Sequence, residues 1–169
     1  MYLENNSRRR QLTAAILSWL PVLVWMALIF FLSGQNGNES GRLSRWVTVG
    51  LIRLLRLAET NERIAIWQSV IRTCAHGASF YILAILVSWA LTRSKVQDIR
   101  NMILALLISI IYAATDEMHQ ALVPGRASQW IDLLVDGAGI LLAILTYQAI
   151  SLWRYHRAGK KLASKHTLW

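Results

Sequence analysis

Four stretches of this chain are each long and apolar enough to cross a bilayer, and that fact restricts the fold more than any other. A crossing by a helix takes ~20 mostly apolar residues at a rise of 1.5 Å each. In lipid every backbone N–H and C=O must be satisfied within the segment, so a helix is the element such runs can form. The runs lie at 12–32, 69–91, 99–122 and 131–153. The composition agrees, since 55% of the residues are hydrophobic and only 16% are charged. The predicted fold class is therefore an all-α integral membrane protein, a bundle of four transmembrane helices forming one domain over residues 1–169. Pro21 is expected to kink the first span, which membrane helices tolerate. That run is too long for a signal-peptide core and shows no small-residue cleavage site, so it is expected to stay as a signal-anchor. The lone Cys74 excludes an intrachain disulfide.

An even number of crossings places both termini on one side, and the basic residues suggest which. Arg8, Arg9 and Arg10 precede span one. Arg93, Lys95 and Arg100 join spans two and three. Arg154, Arg157, Lys160, Lys161 and Lys165 lie in a basic tail over 154–169. The other side carries the smaller set: Arg42, Arg45, Arg53, Arg56, Arg63, Arg72 and Arg126. The bias predicts a multi-pass protein of the cell membrane with both termini cytoplasmic. The net charge is +9, but the charges flank apolar spans instead of forming one stripe, so no nucleic-acid partner is expected. In the first extracytoplasmic loop, residues 42–58 place Arg42, Arg45, Arg53 and Arg56 on one helical face, with Leu43, Trp46, Val47, Ile52, Leu54 and Leu55 around the rest. This pattern predicts an amphipathic interfacial helix, or a helix packed on the bundle with a solvated charged face. TNERIAIWQ (60–68) is expected to be a loop into span two.

The same topology sends nearly every polar group within the spans to one end. Ser33 and Gln35 end span one. Arg72 and His76 open span two. Asp116, Glu117, His119 and Gln120 end span three, and Asp132 and Asp136 open span four. Pro124-Gly125 reads as a turn that returns Arg126 over the helix ends. The far halves read as Leu, Ile, Ala and Val. Arg72/His76, Asp116/Gln120 and Asp132/Asp136 are spaced i,i+4, so each pair forms a stripe on its helix. Gly137 and Gly139 leave room for a close helix neighbour. An ionisable group at bilayer depth costs ~2.5–3.5 kcal/mol, so these groups must be paired, protonated or used.

Three chemistries suit the cluster. As an enzyme, it would take Glu117, His119, Asp132, His76 and Asp116 as acid/base candidates. Arg72, Arg126, Gln120, Asp136, Ser33 and Gln35 would bind the substrate, the arginines clamping a phosphate. As a binding site, it would hold a lipid headgroup or a cationic amphiphile without reaction. As a structural cap, it would pair its own charges, with Asp132 as an N-cap. Asp116-x-x-His119 has the spacing of a metal-ligand pair, with His76 a possible third ligand, but no second such motif follows and no metal is assigned. No cofactor is indicated. Arg126-x₅-Asp132-x₃-Asp136 puts an Asp where membrane lipid phosphatases carry a nucleophilic His, and their companion motifs are absent, so that family is rejected while phosphate chemistry stays open. The expected partners are membrane lipids or lipid-linked cell-wall precursors.

Three segments together resemble one family. DEMHQ (116–120), then PGR, then Asp132-x-x-x-Asp136 before an apolar run, is similar to the signature of the VanZ-like family. FFLSGQNGNESGRLS (30–44) resembles its first-helix exit, and IRTCAHGASFYIL (71–83) its Arg-Lys-x-x-His helix start. The resemblance covers roughly residues 20 to 145. Asp136 stands where the family often has Asn, Thr73 replaces a frequent Lys, and Ser79-Phe80 replaces a frequent Glu-Tyr pair. The resemblance implies a cell-envelope protein; the family's named member is associated with resistance to the glycopeptide teicoplanin. The combined expectation is a charged extracytoplasmic pocket that acts on or binds a lipid-linked phosphate, a glycan or a glycopeptide.

Overall fold

The computed structural model describes residues 2–35, 37–124 and 130–166, with side chains described for 8–35, 41–42, 44–124 and 131–157. Six helices make up the described chain: α1 (Tyr2–Leu17), α2 (Leu20–Ser33), α3 (Gly37–Leu54), α4 (Asn61–Arg93), α5 (Asp98–Ala121) and α6 (Trp130–His166). Four segments have the length and composition to span a membrane: Arg8–Ser33, Asn61–Arg93, Asp98–Ala121 and Ile131–Arg157. The four-span expectation holds. The first span is made of α1 and α2 with a break at Ser18 and Trp19. Pro21 has no N–H to give to the carbonyl of Leu17, so the ladder lapses there. The Trp19 N–H reaches Ile16 O at 3.1 Å, Leu23 N–H returns to Trp19 O at 3.0 Å, and the Ser18 hydroxyl donates to Ala15 O at 2.6 Å.

The core is organised on α4, which packs against α2, α3, α5 and α6. Phe80, Leu83, Ala84, Val87 and Ala90 of α4 meet Val22 and Ile29 of α2, Ala105 and Ala113 of α5, and Ile140, Ala143 and Ile144 of α6. Outward faces stay apolar, as in Val24, Phe31, Ile111 and Leu145, which suits side chains that face acyl chains instead of water. The closest approach is between α4 and α6. A Cβ placed on Gly139 would collide with the backbone carbonyl of Gly77, and one on Gly77 would fall 2.9 Å from Val135 Cγ1. Small residues allow this contact, because dispersion between close backbones holds membrane helices together where no hydrophobic driving force exists. Gly137, also expected at such a contact, meets only Ile110 Cδ1, at 3.8 Å.

Several boundaries differ from expectation. The helix placed at 42–58 runs from Gly37 to Leu54. It ends in a Schellman turn: Leu57 N–H bonds Ile52 O at 3.0 Å, Arg56 N–H bonds Arg53 O at 3.0 Å, and Arg56 takes φ 55°. Arg56 thus lies in the turn and not on the helical face with Arg42, Arg45 and Arg53. The stripe α3 turns inward is Ser44, Thr48 and Ile52, while Trp46 and Leu54 are each 78% exposed. The segment expected as a loop over 60–68 is helical from Asn61 onward. Thr60 caps α4 by accepting from Arg63 N–H at 3.3 Å, with Glu62 in the first turn. Helix α6 continues to His166 through most of the expected tail.

The end of the bundle opposite the acidic cluster also departs from a purely aliphatic reading. Asn101, 1% exposed, donates through Nδ2 to Ser88 O at 3.0 Å, Thr92 Oγ1 at 3.1 Å and Val96 O at 3.1 Å. Tyr147 donates to the same Thr92 hydroxyl at 3.0 Å, and Trp19 Nε1 to Ser94 Oγ at 3.2 Å. These bonds tie α2, α4, α5 and α6 together at that end. They satisfy polar groups that would otherwise be costly at this depth.

Candidate functional site

The carboxyl end of α2, the first half of α4, the carboxyl end of α5 and the start of α6 meet at one end of the bundle. The polar groups there form two layers and not one pocket. The outer layer is a cleft of about 220 Å³ between α2, α3 and α4. Ser33, Gln35, Ser44, Arg72, His76 and Ser79 supply its polar lining, and Ile29, Leu32, Val47, Ile71, Ala75 and Phe80 its apolar lining. Arg72 is exposed at the cleft and His76 is half-buried. Helix α3 forms one wall and is clasped to α4 by Gln68, whose Nε2 donates to Gly41 O at 2.7 Å and Ser44 Oγ at 3.0 Å.

The inner layer holds two carboxylates behind that lining. Asp116, 3% exposed, accepts through Oδ2 from the Ser33 hydroxyl at 2.9 Å and from Gln120 Nε2 at 2.8 Å. Gln120 Nε2 also lies 3.3 Å from Ser33 Oγ, so the three side chains close a ring joining α2 to α5. Asp136, 2% exposed, places Oδ2 3.9 Å from His76 Nδ1. That distance exceeds a hydrogen bond but keeps the charges in contact when the imidazole is protonated. Asp116, Glu117 and Asp132 all lie within electrostatic reach of Asp136. One oxygen of each buried acid, Oδ1 of Asp116 and of Asp136, has no hydrogen-bond partner among the described residues.

Ser33, Gln35, Arg72 and His76 thus share the cleft. Asp116 and Gln120 sit behind Ser33, and Asp136 sits behind His76. Glu117, His119 and Asp132 do not line the cleft. The His119 ring stacks on Phe30 with centroids 4.2 Å apart and planes 6° from parallel. It approaches so closely because Gly34 has no side chain: a Cβ there would lie 3.3 Å from His119 Cε1. Glu117 and Asp132 are half-buried. Arg126 lies outside the described residues. Among the described residues, no group of three His, Cys, Asp or Glu is placed to hold a metal ion, and Asp116 and His119, whose spacing alone is that of a ligand pair, are divided between the Ser33 ring and the Phe30 stack.

Among the polar contributors, the sequence reading missed Ser44 from α3, Ser79 from α4 and the clasp residue Gln68, and it did not anticipate the apolar lining. The phase of α4 carries a signal for one of them, because Arg72, His76 and Ser79 follow at i, i+4 and i+7 and so share a face. The α3 residues had no such signal, since the Ser44–Thr48–Ile52 stripe is overshadowed by the more apolar Trp46 and Leu54.

Comparison with curated proteins and with solved structures gives no match to this chain. A family model described as VanZ/LLP1 matches residues 18–153. The matched region begins at the break between α1 and α2, ends within α6, and contains every residue of the cleft and of the acids behind it. The resemblance carried by the DEMHQ, Asp132-x-x-x-Asp136, FFLSGQ and IRTCAHG segments is therefore borne out, and the chain belongs to the VanZ-like family of multi-pass membrane proteins.

Proposed function

We propose that the α2–α3–α4 cleft binds a lipid-linked phosphate at the extracytoplasmic leaflet, without transforming it. The observation that carries this reading is the lining itself. Aliphatic and aromatic groups (Ile29, Leu32, Val47, Ile71 and Phe80) and polar ones (Arg72, His76, Gln35 and serine hydroxyls) line the same cleft, and α2, α3 and α4 each contribute to it. An amphiphile needs the same mixture. Its chain is taken up by the apolar groups and its phosphate meets the Arg72 guanidinium, whose planar fork suits phosphate oxygens. His76 adds a second donor, and when protonated a second cation, with Asp136 3.9 Å behind it.

Size separates the alternatives. Drug-sized ligands occupy pockets of about 300–1,000 Å³, and the cleft holds about 220 Å³. It takes a headgroup and the start of a chain, not a whole glycopeptide. Teicoplanin tolerance, within this reading, follows from capture of the lipid-linked precursor and not from capture of the drug. Binding is favoured over catalysis because Glu117, His119 and Asp132 stand outside the cleft and Asp116 spends its Oδ2 on Ser33 and Gln120. Cytoplasmic termini, read from the basic-residue bias, place the cleft outward.

Native mass spectrometry of the detergent-purified protein titrated with a polyprenyl phosphate tests the reading. Loss of a charge-assisted bond of ~1.5–3 kcal/mol corresponds to roughly 10- to 150-fold in affinity. Arg72→Gln is expected to weaken binding within that range. Binding of the variant at wild-type strength contradicts the proposal. A teicoplanin susceptibility assay on cells expressing each form tests the physiological extension.

A further inference from the structure

The end of the bundle opposite the cleft carries a second feature that the proposed function does not use. Arg9, Arg10, Thr13, Ala14 and Leu17, all on one face of α1, line a shallow surface groove that is largely open to its surroundings. Its polarity is graded along the helix axis. Two exposed guanidiniums stand at one end, a hydroxyl and a methyl follow, and a leucine lies at the other end, about 10 Å further on at the rise of an α-helix. Ala14 forms the hollow because its side chain is a single methyl. The Thr13 hydroxyl is bonded back to Arg9 O at 3.0 Å and so is held against the helix. No acid occurs from Arg8 to Leu17. Lys95 at the end of α4 donates through Nζ to Gln11 Oε1 at 2.9 Å, which fixes α1 to the bundle and brings a third cation to this end. The apolar run of this span begins at Leu12, after the arginines, which puts Arg9 and Arg10 on the headgroup side and Leu17 on the acyl side.

We propose that this groove is a binding site for an anionic phospholipid, with the lipid phosphate on Arg9 and Arg10, the glycerol region beside Thr13 and an acyl chain along Ala14 and Leu17. The charge favours anionic over zwitterionic lipids, since the groove offers cations and no carboxylate to meet a choline or an amine. The site is separate from the cleft, which lies at the other end of α4.

Native mass spectrometry with phosphatidylglycerol and with phosphatidylcholine tests this. The wild-type protein is expected to retain phosphatidylglycerol preferentially. Each juxtamembrane arginine contributes about fivefold, so Arg9→Gln/Arg10→Gln is expected to lose roughly 25-fold. Arg154→Gln/Arg157→Gln removes two charges from the carboxyl-terminal end of α6, which Tyr147 ties to the same end of α4, and is expected to keep the preference. Because removing Arg9 and Arg10 alters topological signals, Ala14→Trp provides a second route, filling the hollow with every charge intact, and is expected to lose binding as well. Undiminished phosphatidylglycerol retention by either groove variant, or an equal loss in the α6 variant, overturns the proposal. Arg72→Gln is expected to leave this binding unchanged, which separates it from the cleft.

Discussion

Replacing Gly139 by alanine is expected to injure both the fold and the cleft, although it adds one methyl group. The Cβ would collide with the carbonyl of Gly77 on α4, well inside the 3.4 Å of ordinary contact. The obstacle is backbone, so no rotamer change relieves it, and α4 and α6 must part by roughly 1 Å to restore a normal separation. Overpacking of this kind costs ~1–3 kcal/mol, and the rigid obstacle places Gly139→Ala toward the upper value. Gly77 follows His76 directly, and Gly139 lies one turn beyond Asp136. The same displacement therefore widens the 3.9 Å approach of His76 to Asp136 and draws the acid away from the imidazole. Gly137→Ala is the matched control. Its Cβ would meet only Ile110 Cδ1, at 3.8 Å, so the variant gains ~0.5–1 kcal/mol of helix propensity without a clash. Unfolding followed by circular dichroism in mixed micelles, with polyprenyl phosphate binding measured in parallel, reads both effects. Equal stability of the two alanine variants, or wild-type stability of Gly139→Ala, refutes the reasoning.

Three further outcomes are expected. Ser33→Ala deprives Asp116 of one donor while its carboxylate stays buried, and is expected to cost about 1–3 kcal/mol; Ser33→Thr, which keeps a hydroxyl, is expected to recover most of this in the same unfolding assay. Glu59, bonded by Arg53 at 2.8 Å, has its carboxyl held below the ordinary glutamate value by that hydrogen bond. The ion pair is thus complete at neutral pH and is lost as pH falls through this lowered midpoint, which an NMR titration places below about 4.3, whereas Arg53→Gln returns it toward that value. Arg56→Gly is expected to stabilise the protein by about 0.5–1 kcal/mol, because φ 55° costs an L-residue more than it costs glycine; a loss of stability counts against the Schellman reading of the α3 end.

The sequence is legible here in proportion to how much burial depends on composition alone. Four apolar runs suffice for four spans, and antiparallel crossing carries Ser33, His76, Asp116 and Asp136 to one end whatever the details of packing. The division of that end into two layers depends on helix phase, which a count of charges does not contain. Asp116 and Glu117 are adjacent in sequence yet differ by about 100° around α5, and only Asp116 continues the buried stripe Asn101, Ala105, Ser109, Ala113, Asp116 and Gln120. Followed from its apolar part, that stripe of small residues identifies the inward acid. On α6 the sequence shows Asp132 and Asp136 on one stripe, but depth separates them: Asp136 is a turn further in and is buried, whereas Asp132 is half-buried. The exposure of Trp46 and Leu54 on α3 was hidden for a different reason. Hydrophobicity alone would turn such residues inward, whereas α3 buries the smaller Ser44 and Thr48 with Ile52. The start of α4 was legible but unread, since Thr60 with Glu62 behind it is an ordinary helix-start signal.

In the proposed complex an amphiphile occupies the cleft between α2, α3 and α4 with its phosphate at Arg72. Photo-crosslinking with a polyprenyl phosphate that carries a diazirine beside the phosphate tests it most directly. Adducts are expected on peptides containing Leu32–Gln35, Ser44–Val47 and Ile71–Ser79, competed by unlabelled lipid phosphate and lost in Arg72→Gln. Labelling spread evenly over the outward faces of α2, α5 and α6, or concentrated there and unaffected by Arg72→Gln, would contradict it.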